Sequence, residues 1–458
     1  MPLKAKKEWG LQRPTETVFR PSNTPPSNSN VCIHGFILRA LHAPPMAPQR
    51  YLARALDRTM HPQPEHLETG AAPMRFDDTS IAFAHRSDVE LKQARWMFSL
   101  IGAPALVRFG SKLLRFAVAL RLPLRWALGP VFDYFCGGED IADSLSTAHR
   151  LHQFGVKTIL DFSAEGQTGE LALDAARDEI LATIRAAEGN DQFAFAVFKV
   201  SALSDNDLLE AKGSKGPLDA LQKAAWSKVE RRVAQLCEEA ASKNVRIMID
   251  AEETWLQGAI DGLAESMMRA HNQTQCVVYT TAQLYRHDRL DYVRELQSKA
   301  EKEGWISGVK LVRGAYMEKE RERALERGLP SPIQPDKAAT DRDFDAAIDF
   351  ALDHLDHLHI VCGTHNEAST ARLADGMTTH GLSPDDNRVA FAQLLGMSDN
   401  LSFNLAHRGF LSAKYVPYGP LLEAIPYLIR RAEENTSVGG QTSRELGLIR
   451  TELARRKG

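Results

Sequence analysis

The sequence predicts an α/β fold: a (βα)8 barrel of TIM type, preceded by a helical arm and a disordered N-terminal extension. Three observations predict it. Eight short apolar runs of strand character recur from about residue 155 onward, and amphipathic helical stretches fill the gaps between them. Alternating β and α implies a parallel sheet, and eight such units close as a barrel. No G-x-G-x-x-G follows any of the runs, which weighs against a doubly wound dinucleotide-binding sheet.

Residues 1–73 carry 11 of the 22 prolines, in segments such as RPSNTPPSNSN that bury too little apolar surface to offset their ordering entropy. They read as a disordered extension. It is either a transit-like leader, with nine Lys/Arg against five acids, or the product of a start placed too early, with Met74 the true beginning. Residues 74–150 read as a helical arm. From Leu91 to Phe132 there are seven basic residues and no acidic one. That stretch either packs on the main domain or also presents one face to an anionic membrane surface. Residues 151–440 form the barrel, and 441–458 a closing helix and tail. The expected strands are TILDF (158–162), FAFAVFKVS (193–201), VRIMID (245–250), CVVYTT (276–281), SGVKLVRG (307–314), HIVCG (359–363), RVAFA (388–392) and SAKYV (412–416).

Composition narrows the class. Hydrophobic residues make up 43% and charged residues 25%, and 56 basic against 59 acidic side chains give a net charge of −3. This is a globular chain, and it lacks the basic excess of a nucleic-acid binder. The five cysteines are odd in number and contain no C-x-x-C, so neither a disulfide framework nor a structural zinc site is expected, and a reducing compartment fits. The most apolar stretch, 97–135, is broken by Arg108, Lys112, Arg115, Arg121 and Arg125 and does not span a bilayer. The first residues lack the apolar core of a signal peptide.

Barrel chemistry sits at the C-terminal ends of strands. Lys199 ends FAFAVFK on the face of Phe193, Phe195 and Val197. It is either a rim lysine that snorkels or an anion site in the barrel mouth. Asp250 ends VRIMID and is either a helix cap or a site residue. Lys310, Arg313, Gly314 and Ala315 in VKLVRGAY suit a phosphate or an electron-rich ring. His365 in THN could contact a ligand or satisfy a core hydrogen bond. His354, His357 and His359 superficially resemble a metal site, but a solvated helix end is the expected reading. In IPYLIRRAEENTS, Tyr427, Arg430, Arg431 and Glu434 share one helix face. Adjacent guanidiniums repel unless an anion joins them, and Arg is the preferred bidentate carboxylate ligand.

Together FCGGED, KVSAL, IDAEE, VKLVRGAY, GTHNE, FAQLLGM, KYVPYGP and PYLIRRAEEN, in this order over roughly 135–440, resemble the proline dehydrogenase family. The resemblance implies a flavoenzyme barrel that oxidises L-proline to Δ1-pyrroline-5-carboxylate by hydride transfer to FAD and passes electrons to a quinone. It implies a substrate carboxylate held by Lys199, Arg430 and Arg431, with Glu434 paired to an arginine. The ring pocket falls on Tyr316, Leu394, Tyr415 and Tyr427, and Asp250 is an orienting group. FAD contacts fall on Val312, Arg313, Gly314, Ala315, Thr364 and His365, on the backbone of Ala251, and on Lys310 below the flavin. Thr280 stands where the family often has Gln or Asn, and Gln283 nearby matches a flavin contact. Met317 replaces a family Trp, and Gly137 an Ala. Nothing resembles an aldehyde dehydrogenase or DNA-binding domain, so the form looks monofunctional. No metal is implied.

Two close rivals remain. In hydroxyproline dehydrogenases the position of Tyr415 tends to be small, so a tyrosine here favours proline. A methylenetetrahydrofolate reductase-like flavin barrel is disfavoured by RR-x-x-E opposite Lys199, which suits a compact carboxylate. The expected location is cytoplasmic or peripheral on the inner membrane through 91–132, and mitochondrial if the extension is a transit peptide.

Overall fold

The computed structural model describes residues 73–101, 125–162, 167–214, 216–437 and 441–457. The proposed extension therefore lies outside the described residues except for Pro73, as does the 102–124 part of the basic arm.

Eight parallel strands close a barrel in chain order. They are β1 Lys157–Phe162, β2 Phe193–Lys199, β3 Ile247–Asp250, β4 Val278–Gln283, β5 Ser307–Val312, β6 Leu358–Gly363, β7 Val389–Leu394 and β8 Ser412–Tyr418. Pairing of β1 with β8, from Lys157 opposite Ala413 to Phe162 opposite Tyr418, closes the ring. The strands read as apolar runs because both faces are buried. The arm contributes α1 Thr79–Ala82, α2 Asp88–Ile101, α3 Arg125–Phe135 and α4 Ile141–His152. The barrel helices are α5 Glu170–Ala187, α6 Asn206–Gly213, α7 Ala220–Ser242, α8 Thr254–His271, α9 Arg289–Glu303, α10 Met317–Arg327, α11 Lys337–Leu352, α12 Glu367–Thr379, α13 Asp399–His407 and α14 Leu421–Ser437. A last helix, α15, runs Gln441–Arg455. Local signals set many ends: Asp219 and Gln222 form a capping box at α7, and left-handed Gly304 and Gly328 end α9 and α10.

Three cores follow from the pleat. Ile159, Phe195, Val197, Met248, Tyr279, Val361, Ala390, Ala413 and Tyr415 fill the barrel interior. Their strand neighbours, among them Leu160, Phe198, Ile249, Leu311 and Phe391, pack outward on the helices. Phe193 belongs to this outer layer and not to the Lys199 face, because the β1–β2 register shifts between Thr158 and Ile159. A third core joins the arm to the closing helices: Phe83, Leu91, Phe98, Phe132 and Phe135 meet Met397, Tyr427, Leu428, Ile449 and Leu453. His354 and His357 lie in the turn after α11 rather than on the helix, and the Nδ1 of each ring faces a backbone carbonyl.

Candidate active site

Strand alternation turns the interior polar toward the C-terminal ends, where a cavity of about 420 Å³ opens. Its wall holds Lys199, Asp250, Ala251, Gln283, Lys310, Val312, Arg313, Gly314, Ala315, Tyr316, Thr364, His365, Leu394, Tyr415, Tyr427, Arg430 and Arg431. Two of the expected residues are not among them. Thr280 is off the wall, with Thr281 in its place. The reason is the two-residue period of a strand: Gln283 faces in, so Thr281 and Tyr279 do too, while Thr280 shares the outward phase of Val278 and Ala282. The backbone of Glu434 lies on α14, and its side chain is outside the described residues.

The cavity floor is an ionic network. The Lys310 Nζ donates to Asp250 Oδ1 and to the Tyr415 hydroxyl, each at 2.5 Å, and Tyr415 donates to Asp250 Oδ1 at 3.1 Å. The Lys199 Nζ lies 3.5 Å from both Asp161 carboxylate oxygens and 3.7 Å from Asp250 Oδ2. Two ammoniums thus face two carboxylates. Burial alone would raise the Asp250 carboxyl, but Lys310 and Lys199 outweigh it and hold the group below its ordinary range. Burial, and then the Asp250 charge, keeps the Tyr415 phenol protonated as a donor.

One wall is rich in donors but largely braced from within. Gln283 donates to the Glu252 carbonyl at 2.7 Å and accepts from Ala315 N at 3.1 Å, which sets the Gly314–Ala315 backbone. Gly314 sits at φ +133°, and a Cβ there would lie 2.5 Å from the Tyr285 ring. The absence of a side chain at this glycine lets the backbone approach the Tyr285 ring closely. Arg313 donates to Asp341 at 2.7 Å, Thr364 at 2.7 Å and Ser369 at 3.0 Å, and it stacks on Phe344. Glu252 accepts from Ser201 N at 2.9 Å, and burial pushes its carboxyl up to about 7. His365 meets Ser398 Oγ through Nδ1 at 3.0 Å. Burial first, with Lys414 and Arg431 adding repulsion, lowers its imidazole to about 3, so it is neutral at physiological pH.

The opposite wall is α14. Pro426 lacks the N–H of an intrahelical bond, one residue before Tyr427. Arg431 is buried and Arg430 half-buried, and the Arg431 guanidinium lies 5.2 Å from the Tyr427 ring centre. Cations from β2 and α14 and uncharged surfaces from Leu394, Tyr316, Tyr415 and Tyr427 thus share one cavity. A small anion with an apolar body suits it.

Sequence reasoning missed Asp161, Thr281, Lys337, Gln393 and Met397, all on the wall. Asp161 carried the signal that picked out Asp250, an acid near the end of an apolar run. Gln393 is signalled by its place in FAQLL, and its amide donates to the Thr364 carbonyl at 3.2 Å. Among the described residues no group of three or more His, Cys, Asp or Glu side chains could hold a metal ion.

A family model described as proline dehydrogenase matches residues 144–444. A carbapenem antibiotics biosynthesis protein, CarD, of Pectobacterium carotovorum is 35% identical over 326 residues, covering 71% of this chain and 84% of that protein. Human mitochondrial proline dehydrogenase 1 is 42% identical over 229 residues, covering 49% of this chain and 38% of the human protein. A hydroxyproline dehydrogenase of Xenopus laevis is 28% identical over 421 residues, covering 84% and 90%. The proline utilization A structure of Bdellovibrio bacteriovorus inactivated by N-propargylglycine has a TM-score of 0.63 at 18% identity, with 81% of this chain and 40% of that one covered, and it shares the fold. With the family model spanning the whole barrel and the first relative matched over most of its length, the chain belongs to the proline dehydrogenase family.

Proposed function

We propose that the protein oxidises L-proline to Δ1-pyrroline-5-carboxylate with FAD as the acceptor and a quinone downstream. The observation that carries this is the convergence of Lys199, Arg430 and Arg431 on a cavity whose remaining surface offers tyrosines and Leu394 to a ring. The lining fits a flavin: neutral His365, Gln283, the Lys310 ammonium and the 312–315 backbone all lie on the cavity wall, and Arg313 and Lys337, which share Asp341, add positive charge for a pyrophosphate. When bound there, FAD would supply the two-electron acceptor. The chain's own residues do the rest. The cations bind the carboxylate and orient the ring, the tyrosines and Leu394 exclude water, and the summed positive charge disfavours a protonated amine. The amine nitrogen must lose its proton before the C5–N double bond can form. Asp250 orients Lys310 and Tyr415 on the cavity floor.

The decisive experiment is the visible spectrum of the pure protein. Flavin bands bleached by anaerobic L-proline support the reading, and a colourless protein, or bands indifferent to proline, refute it. Acid precipitation should release the colour, since FAD is expected to be held non-covalently.

Ring selectivity follows from Tyr415. Its ring fills the interior between β1 and β7, and its hydroxyl is already engaged by Lys310 and Asp250. A hydroxylated ring would meet it. Tyr415→Ser should narrow the proline-to-4-hydroxyproline ratio of kcat/KM by roughly tenfold. An unchanged ratio would move the discrimination to another wall residue.

Peripheral membrane contact is part of the proposal. The outward face of α2 exposes Val89 and Trp96 beside Lys92 and Arg95. No helix among the described residues is long and apolar enough to cross a membrane. This location, on an inner membrane or in the cytoplasm, and import into mitochondria if residues 1–73 are a transit peptide, complete the reading.

A further inference from the structure

We propose that the C-terminal helix α15 is a working part of the active site, with Glu445 as a positioning residue that holds the loop after β7 in the shape the substrate ring requires. The inference rests on the proline-oxidising reading above.

The loop is Leu395–Ser398. Leu394, the strand residue just before it, and Met397 within it face the cavity. Its backbone is not one the chain would adopt unaided. Ser398 lies at φ +50°, a left-handed conformation that opposes its Cβ, and Gly396 lies at φ +76°. A Cβ on Gly396 would stand 2.7 Å from the Tyr134 carbonyl oxygen, so the loop is pressed against the arm. Such a backbone persists only when its surroundings over-determine it.

Two buried charged side chains do so. The Lys414 Nζ donates to the Met397 carbonyl at 2.5 Å, and Glu445 Oε1 accepts from Ser398 N at 2.5 Å. Ser398 in turn presents its Oγ to His365 Nδ1 at 3.0 Å. One bond from α15 therefore bears on the β7 loop and on the histidine that follows β6. Arg444, the preceding residue, pairs with Glu367 at the start of α12, directly after Thr364, His365 and Asn366. Consecutive residues of one helix thus grip the loops after both strands. The carboxyl is in a position that opposes its charge, since burial and then Asp399 push it up to about 7. That position is explained by the backbone amide it serves.

The helix is itself firmly seated. Ile449 and Leu453 are buried in the arm core, and the Arg456 guanidinium donates to the carbonyls of Phe83 at 2.8 Å and Arg86 at 2.9 Å. The apolar seat and the Glu445 contact are separate attachments of one helix, and the seat has enough partners to survive the trimming of one of them.

The test compares three variants of the full-length holoenzyme. Glu445→Ala should raise KM for L-proline roughly tenfold while kcat stays within about twofold, because the ring wall loosens, whereas the loop that carries His365 keeps its own bonds from Arg313 and Gln393 to Thr364. Amide hydrogen exchange of the 394–402 segment should quicken in the same variant, with the strands unchanged. Glu445→Gln should restore both readouts, because its side-chain carbonyl can still accept from Ser398 N. Ile449→Ala, on the same helix, should lower Tm without moving either. Wild-type KM and exchange in Glu445→Ala would overturn the proposal. So would a Gln variant as impaired as the Ala variant, or an Ile449→Ala that reproduces the KM shift. If the Ala variant does not fold, Glu445→Asp, which keeps the charge but shortens the reach, takes its place with the same expectations. If the wild type were inert toward proline, the functional reading would fall, and the exchange comparison would still decide the tether.

Discussion

Replacing Arg431 by Met is expected to lower kcat/KM for L-proline by roughly 10- to 150-fold, mostly through KM, while FAD stays bound and Tm stays near wild type. The range is the cost of one lost charge-assisted hydrogen bond, about 1.5–3 kcal/mol. Arg431 is buried on the cavity wall, within reach of Tyr427 and close enough to His365 to depress its basicity. Met keeps most of the aliphatic volume, so the packing of α14 on the arm should survive. A carboxylate-bearing ring inhibitor such as tetrahydrofuroic acid should weaken by a comparable factor. Arg431→Lys should rescue little, because an ammonium does not reproduce the planar fork. If Arg431→Met instead unfolds the protein and the surviving fraction binds the inhibitor normally, the paired arginines are structural and the carboxylate site lies elsewhere.

The largest loss of stability is expected from Asp399→Ala. Asp399, 3% exposed at the start of α13, lies 2.9 Å from Lys414, 3.1 Å from Arg86 and 3.3 Å from His85. It joins the arm to the barrel at β8. Removing it leaves two buried cations without their counter-ion, a change that costs about 3–5 kcal/mol in comparable buried pairs. Burial would raise this carboxyl, but Lys414, Arg86 and His85 together hold it well below the ordinary range. Its contribution is therefore complete above the ordinary carboxylate range and fades as pH falls through the lower folded value. The deficit of Asp399→Ala in denaturant unfolding should accordingly be full near neutrality and shrink in strong acid. A deficit below about 1 kcal/mol at neutral pH would mean that water already screens the cluster, and the arm would then be held by its apolar contacts.

The barrel was legible because a strand buried on both faces leaves an unbroken apolar run, and each such run is followed by a helix-period pattern. TILDF, VRIMID and HIVCG needed no partner to be identified. Site residues were legible where a charge interrupts such a run at its end, as at Lys199, Asp250 and Lys310. The resemblance placed both Thr280 and Gln283 at the site, although residues three apart on one strand face opposite ways. Tyr279 in the interior core shows which phase is inward. Asp161 carried the same end-of-run signal as Asp250, but its partner, Lys199, is set only by the pairing of β1 with β2.

What the sequence by itself determined is the element order, the polar strand ends and the paired arginines of α14, because periodicity and local charge are properties of neighbours along the chain. Only the tertiary structure decided how those groups are shared. Arg313 and Gln283, which looked free to serve a ligand, spend donors on Asp341, Thr364, Ser369 and the Glu252 carbonyl. Lys414 and Glu445, which carried no sequence signal, converge with Asp399 behind the ring wall. The physical reason is that a buried charge or amide must find a partner, and most such partners lie far away in sequence, on elements that meet only when the barrel closes and the arm and α15 pack against it.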